Sequence, residues 1–95
     1  MLEKIYNNLK KNYRSDIVER IEKNYIDDEI SSIFLRYDNE NVLSQITIWE
    51  DLSCMIEIYD IDIDKYIRNQ RMEFFNTQEV TNEFSTFISI ISDFL

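Results

Sequence analysis

The sequence has no glycine and no proline among its 95 residues. Without glycine, no loop can bring its backbone amides close to a phosphate, so P-loop and dinucleotide-binding motifs are excluded. Tight turns must instead be formed by asparagine, aspartate and serine, which tolerate left-handed backbone angles or hydrogen-bond to their own backbone. We therefore predict that the turns coincide with segments rich in these three residue types.

Histidine is also absent, and cysteine occurs once, at Cys54. Catalytic arrangements that depend on histidine are therefore excluded, and zinc sites lose their commonest ligand. A single cysteine forms no intrachain disulfide, which favours a reducing compartment. The first twelve residues lack the apolar segment of a signal peptide, and no apolar run is long enough to cross a bilayer. We predict a cytoplasmic protein that does not bind membranes.

Negative charge dominates, and the net charge of −9 is unevenly distributed. Residues 26–64 contain eleven Asp and Glu against one basic residue, Arg36, whereas the segments on either side are close to neutral. This distribution disfavours nucleic acids and anionic membranes as partners, since both attract clustered Lys and Arg. It favours either a basic partner or the simpler role of keeping a sheet edge soluble.

Apolar residues recur at helical spacing at both ends of the chain, which predicts two terminal helices. The first covers residues 2–24, and Ser15 marks a position where it can break. The second begins at Asn76, which forms a capping box with Glu79 three residues later. The stripe residues are Ile5, Leu9, Tyr13 and Ile17 in the first helix and Val80, Phe84, Phe87, Ile88, Ile91 and Leu95 in the second.

Between the helices, three runs rich in Ile, Val, Phe, Tyr and Trp alternate along the chain as strands do. They span residues 30–37, 42–49 and 53–59, and a weaker fourth run covers residues 66–74. The polar segments between the first three runs are short enough for antiparallel hairpins. We predict a single α+β domain over residues 1–95, with an antiparallel sheet of three or four strands and N- and C-terminal helices packed on one face.

Each predicted strand has one clearly apolar face, which leaves the opposite sheet face open. The residues expected on this open face are Phe34, Arg36, Gln45, Thr47, Trp49, Glu57 and Tyr59. Exposed aromatic residues among polar groups are typical of protein–protein interfaces. Trp49 is therefore either a core residue or an interface anchor, since Trp and Tyr dominate binding hot spots.

Three aspartates alternate with isoleucine in the stretch Asp60–Asp64. The spacing matches the start of an EF-hand loop, but Lys65 and Arg71 occupy the positions that require Gly and a bidentate Glu. We therefore predict no metal ion and no cofactor. The alternation instead predicts that the strand continues, with its three carboxylates about 7 Å apart on one face. Such a row would favour a positively charged partner.

Candidate catalytic groups are few. Cys54, Ile56 and Ile58 occupy every second position of the third predicted strand and so share its apolar face. This predicts a buried structural thiol at Cys54. Paired carboxylates perform acid–base catalysis in glycosidases, but the carboxylates here lie in turns and on edges without a flanking base. We predict that the protein is not an enzyme.

Four motifs follow one another along the chain: Gln45–Glu50, Cys54–Glu57, Asp60–Asp64 and Val80–Leu95. They are a strand of the form Q-I-T-[I/V]-W-E, a strand of the form C-x-[I/L]-E, an acidic loop and an amphipathic C-terminal helix. This set resembles bacterial immunity proteins of the TriTu type, which belong to polymorphic toxin and contact-dependent inhibition systems. The resemblance also leads us to expect glycine in the turn after the Trp-Glu pair, where this chain has Asp51-Leu52.

The resemblance implies a protein that binds and neutralises a cognate toxin made by the same or sibling cells. The charge distribution fits a nuclease toxin, because a site that binds phosphates is basic and an acidic inhibitor mimics that charge. The expected toxin-binding residues are Trp49, Glu50, Asp51, Glu57, Tyr59, Asp60, Asp62 and Asp64. The alternative is an acidic DNA mimic or regulatory adaptor that occupies a nucleic-acid-binding protein unrelated to any toxin.

Overall fold

Residues 2–94, which the computed structural model describes, form three helices and five strands. The helices are α1 (Leu2–Asn12), α2 (Ser15–Val18) and α3 (Thr77–Ser92). The strands are β1 (Ile21–Ile26), β2 (Glu29–Asp38), β3 (Val42–Trp49), β4 (Ser53–Asp60) and β5 (Lys65–Glu73). All five strands join one antiparallel sheet in the order β1-β2-β3-β4-β5, so each strand pairs with its neighbours in sequence. The predicted α+β class with terminal helices is confirmed.

The predicted number of strands is wrong, because the structure has five rather than three or four in its described part. The additional strand, β1, comes from residues 21–26, most of which the sequence assigned to the first helix. Ile21 and Tyr25 are four residues apart, a spacing that places side chains on one side of a strand as well as of a helix. Tertiary pairing decides between the two: Ile21 lies opposite Leu35 and Lys23 opposite Ile33.

The turns follow the prediction that Asp, Asn and Ser replace glycine. Asp27 and Asp28 form the two-residue loop between β1 and β2, with φ of 51° and 68°. Positive φ at both positions is the pattern of a type I′ hairpin turn. Asn39 closes the next turn, where its Oδ1 accepts hydrogen bonds from the amides of Asn41 and Val42 at 2.8 and 2.9 Å.

Leu52, in the turn between β3 and β4, is the exception. Its φ of 65° lies in the left-handed region, which a leucine side chain disfavours. This is the turn in which the family resemblance leads us to expect glycine, and the backbone angle explains that expectation. Burial of the side chain, only 8% exposed, offsets the cost. The carbonyl of Leu52 also accepts a hydrogen bond from the amide of Phe74 at 3.1 Å.

The core lies between one face of the sheet and the two long helices. Helix α1 packs over β2, and α3 packs over β3 and β4. Buried side chains of the strands alternate along the chain and lie opposite one another across the sheet, as Leu35, Ile46 and Ile56 do. The helices contribute the buried residues Leu2, Ile5, Leu9, Val80, Phe84, Phe87 and Ile91. The predicted stripe of α3 is thus confirmed, except that Leu95 lies outside the described residues. The first stripe is confirmed for Ile5 and Leu9 only, because Tyr13 follows α1 and Ile17 lies in α2, and both are half-buried.

Helix α3 begins as predicted and also anchors an edge strand. The Oδ1 of Asn76 accepts a hydrogen bond from the amide of Glu79 at 2.9 Å, which satisfies one free donor of the first turn. Further along the helix, Glu83 forms an ion pair of 2.7 Å with Arg68 of β5. Both side chains are largely shielded from solvent, so this pair is screened less than a surface pair. It joins α3 to the fifth strand.

Replacing Asp28 by glycine should stabilise the fold by about 0.5–1 kcal/mol, because glycine adopts positive φ without a steric cost. The control is Glu40→Gly, which removes the same charge from a turn position that is not among the positive-φ residues. It should destabilise the fold slightly by adding freedom to the unfolded chain. Urea unfolding of both variants gives the comparison. Equal effects of the two substitutions would contradict the account of the first turn.

Candidate functional site: the open sheet face and its two ends

The sheet face opposite the helices carries the side chains that the sequence placed there. Strand register sets Phe34 opposite Thr47, and it aligns Arg36, Gln45 and Glu57 in a row across β2, β3 and β4. These pairs alternate with the buried residues of the same strands. The predicted open face is therefore confirmed for all seven of its residues, including Trp49 and Tyr59.

Consecutive turns of the sheet lie at alternate ends of it, and the candidate residues lie in or next to these turns. The tryptophan end comprises Trp49, Glu50 and Asp51, together with the Asp27-Asp28 turn. The tyrosine end comprises Leu43, Tyr59 and Tyr66, together with the turn over residues 61–64. Because β3 runs from one end to the other in eight residues, the two ends lie about 23 Å apart. The eight expected toxin-binding residues therefore form two groups rather than one patch.

At the tryptophan end, the candidate residues are engaged by other side chains of the same protein. The guanidinium carbon of Arg71 lies 4.8 Å from the centroid of the Trp49 ring, a cation–π contact. An Nη of Arg71 also donates to the Oγ of Ser53 at 3.1 Å, and this Oγ donates to Asp51 at 2.5 Å. Trp49 is thus partly buried beneath a cation.

Asp51 serves as a turn anchor. Its Oδ1 accepts hydrogen bonds from both the hydroxyl and the backbone amide of Ser53, the latter at 3.0 Å. These two bonds, with a smaller contribution from Arg71, lower the pKa of the Asp51 carboxyl below its usual value. The Asp51 carboxylate therefore stays charged to a lower pH than an ordinary aspartate while it holds the start of β4.

The same end has a depression that sequence reasoning missed. It has a volume of about 660 Å³ and lies between the start of α1 and the turn joining β1 and β2. Its acidic lining residues are Glu3, Asp27, Asp28, Glu29 and Glu50. Only Glu50 was among the expected residues. Glu3 lies in α1 and reaches this depression only because the helix packs beside the turn between β1 and β2. No pattern in the sequence indicates that these two segments are close.

At the tyrosine end, the predicted continuation of β4 through Asp64 is wrong. The strand ends at Asp60, and residues 61–64 form a turn. The Oδ1 of Asp60 accepts a hydrogen bond from the amide of Asp62 at 3.0 Å and lies 3.4 Å from that of Ile63, and φ of Asp64 is 54°. The aspartate side chain closes the turn, so the three carboxylates do not share one strand face.

Next to this turn, three large side chains form a row across β3, β4 and β5. Register places Leu43 opposite Tyr59 and Tyr59 opposite Tyr66. The two tyrosine rings meet edge to face with centroids 5.1 Å apart. Together with Arg36, Asp38, Gln45 and Glu57 they line a depression of about 300 Å³. Leu43 and Tyr66 were not among the expected site residues. Leu43 lies two residues before Gln45 on β3, so the strand period could have placed it on the same face.

A model of the family described as immunity protein TriTu matches residues 2–90 of the chain. The chain belongs to this family. The match includes α1, all five strands and most of α3, so it covers the open face and both ends of the sheet. The resemblance inferred from the strand motifs is confirmed. Comparison with curated proteins gives no match.

Two further observations on the described residues of this TriTu member concern other classes of site. No helix within residues 2–94 combines the length and apolar character needed to cross a bilayer. Over the same range, no three Cys, Asp or Glu side chains converge as metal ligands.

Cys54 lies on the covered face of β4, as predicted, and is fully buried. Burial raises the pKa of its thiol from 9.0 to about 11, and the nearby Glu83 carboxylate adds to the effect. The thiol is therefore neutral near pH 7, and it is the neutral form that is unreactive. A structural role follows for this residue.

The raised pKa predicts how stability depends on pH. The unfolded chain releases the thiol proton near pH 9 and the folded chain only near pH 11, so stability is lost as the pH rises through this interval. Between about pH 8 and pH 10, the wild-type protein should lose on the order of 1 kcal/mol more than Cys54→Val. Urea unfolding of both proteins at the two pH values measures this difference. Parallel losses would contradict the assignment.

Proposed function

We propose that the protein binds and neutralises a cognate bacterial toxin, and that this toxin is a nuclease. The observation that carries the proposal is the match of the immunity protein TriTu family to residues 2–90. The proposed action is binding rather than catalysis and needs no cofactor. It takes place in the cytoplasm, where residues 1–95 act as one immunity-protein-like domain.

The charge of the protein supports a basic target. The net charge is −9, and eleven of the nineteen acidic residues lie in residues 26–64. Nuclease active sites are basic because they bind phosphates, so an acidic inhibitor is attracted to the same site as the substrate. Complementary charge raises the association rate by steering the two proteins together before contact.

The candidate residues divide into anchors and charges under this proposal. Trp49 and Tyr59 supply apolar contact area on the open face, since buried aromatic residues dominate interface energetics. The other six supply steering and ion pairs: Glu50, Asp51, Glu57, Asp60, Asp62 and Asp64. The acidic DNA mimic or adaptor uses the same charges but a different target, so its discriminating observation is the identity of the bound protein.

Co-expression with the protein encoded by the neighbouring reading frame tests the proposal, because immunity genes lie beside their toxin genes. We expect the neighbouring protein to stop growth alone, growth to recover with both proteins, and the two to co-purify. Purified toxin should degrade DNA or RNA, and added immunity protein should stop the degradation. A neighbouring protein that neither binds nor harms the cell would leave only family membership and fold standing.

Salt dependence tests the electrostatic part separately. With a catalytically inactive toxin, the association rate constant should fall at least tenfold between about 50 and 300 mM salt, because salt screens the steering field. The dissociation rate constant should change much less. Stopped-flow mixing or surface plasmon resonance measures both constants. An association rate that is independent of salt would refute steering while leaving the toxin assignment intact.

A further inference from the structure

The two ends of the sheet differ in how much apolar surface they expose. Among the described residues, five of the eight large hydrophobic side chains that are exposed to solvent lie at or next to the tyrosine end. They are Leu43, Ile61, Ile63 and Tyr66, with Ile67 following Tyr66 on β5, whereas Tyr25 and Ile26 precede the Asp27-Asp28 turn and Phe75 follows β5. Exposed apolar side chains that cluster together are a common feature of binding surfaces. The tyrosine end is therefore the better candidate for the desolvated centre of an interface.

The row of Leu43, Tyr59 and Tyr66 is continuous across three strands. Leu43 is 44% exposed and Tyr66 is 56% exposed, and neither faces the helices. The tyrosine rings already contact each other, so their positions are set before a partner arrives. Contact area that is held in place costs little conformational entropy on binding.

Charge around the row favours a cationic partner. Glu57 and Asp38 line the depression beside the tyrosines, and three more carboxylates lie in and next to the following turn. Two cations offset part of this charge: Arg36 lines the depression with its Nε paired to Asp38 at 2.7 Å, and Lys65 lies opposite Asp60, so five carboxylates remain against two cations. An arginine or lysine of a partner would meet tyrosine rings and the carboxylate of Glu57 together, a combination that binds cations by charge and by cation–π contact.

The tryptophan end is less suited to the same partner. Arg71 lies over the Trp49 ring, so an approaching cation would be repelled there. Asp51 is engaged by the hydroxyl and amide of Ser53. Trp49 and Asp51 are thus used within the fold, whereas the carboxylates of Glu3, Asp27, Asp28 and Glu29 line the depression at this end.

We propose that the tyrosine end is the docking surface for the toxin, and that a basic segment of the toxin seats an arginine or lysine side chain in the depression beside Tyr59 and Tyr66. This inference rests on the proposed function and goes further by naming the surface and the chemistry of the contact. It revises the roles assigned above, because Trp49, Glu50 and Asp51 then lie outside the docking surface and only the other five candidate residues remain as contacts: Glu57, Tyr59, Asp60, Asp62 and Asp64.

Tyr66→Ala tests the apolar row, and Tyr25→Ala is its matched control. Tyr25 lies in the opposite edge strand at the other end of the sheet and is 57% exposed, against 56% for Tyr66. Tyr66→Ala should weaken binding to the inactive toxin domain by tenfold or more, mainly through faster dissociation. Tyr25→Ala should change it less than about twofold. Leu43→Ala, on β3, gives an independent test of the row.

Two charge-matched triple variants test the partner chemistry. One is Asp60→Asn, Asp62→Asn and Asp64→Asn, and the other is Asp27→Asn, Asp28→Asn and Glu29→Gln. Each removes three negative charges, and asparagine preserves the side-chain oxygens and left-handed angles that these turns use. At about 150 mM salt, charges more than about 8 Å from the contact are screened. Under this condition only the Asp60, Asp62 and Asp64 variant should lower the association rate constant, by about fivefold or more, and make that rate constant less dependent on salt.

The outcomes separate this inference from the proposed function. Circular dichroism and thermal unfolding first establish that each variant is folded. A wild-type protein that fails to bind the neighbouring toxin refutes the proposed function. Wild-type binding that is insensitive to Tyr66→Ala and to Leu43→Ala, or that weakens with Tyr25→Ala instead, refutes the docking surface alone. Equal slowing by both triple variants refutes a local basic contact and assigns the effect to net charge.

Discussion

One-sided burial of the sheet is the constraint on which the rest of the structure depends. Both long helices pack on the same face, so Leu35, Ile46 and Ile56 must point towards them. The alternation of strands then directs the intervening side chains to the other face, whatever their chemistry. Aromatic and charged residues are thereby displayed together on a surface whose shape is fixed by the core beneath it.

The parts of the fold that follow from local patterns were predictable. Strands β2, β3 and β4 alternate clearly, and the segments between them have the polar residues that turns need. The capping box at Asn76 and the stripe that follows it specify α3. The open face could be read from the same alternation, because the side-chain period of a strand determines both faces at once.

What could not be predicted depends on strand pairing, on the path of the sheet and on one local side-chain hydrogen bond. The spacing of Ile21 and Tyr25 fits helix and strand equally, and only pairing with β2 decides between them. The sequence of Asp60–Asp64 alternates like a strand, but one side-chain oxygen of Asp60 closes a turn there. The candidate residues look contiguous along the chain, yet the antiparallel path of β4 separates them into two groups.

The meander itself has a consequence for how recognition can change. Turns at the tyrosine end, between β2 and β3 and between β4 and β5, share no residue with the turns at the tryptophan end. The tryptophan end holds Leu52, whose buried side chain and left-handed angle tie that turn to the core. If the tyrosine end is the docking surface, substitutions in its two turns would change the contact surface without touching the turn that Leu52 ties to the core.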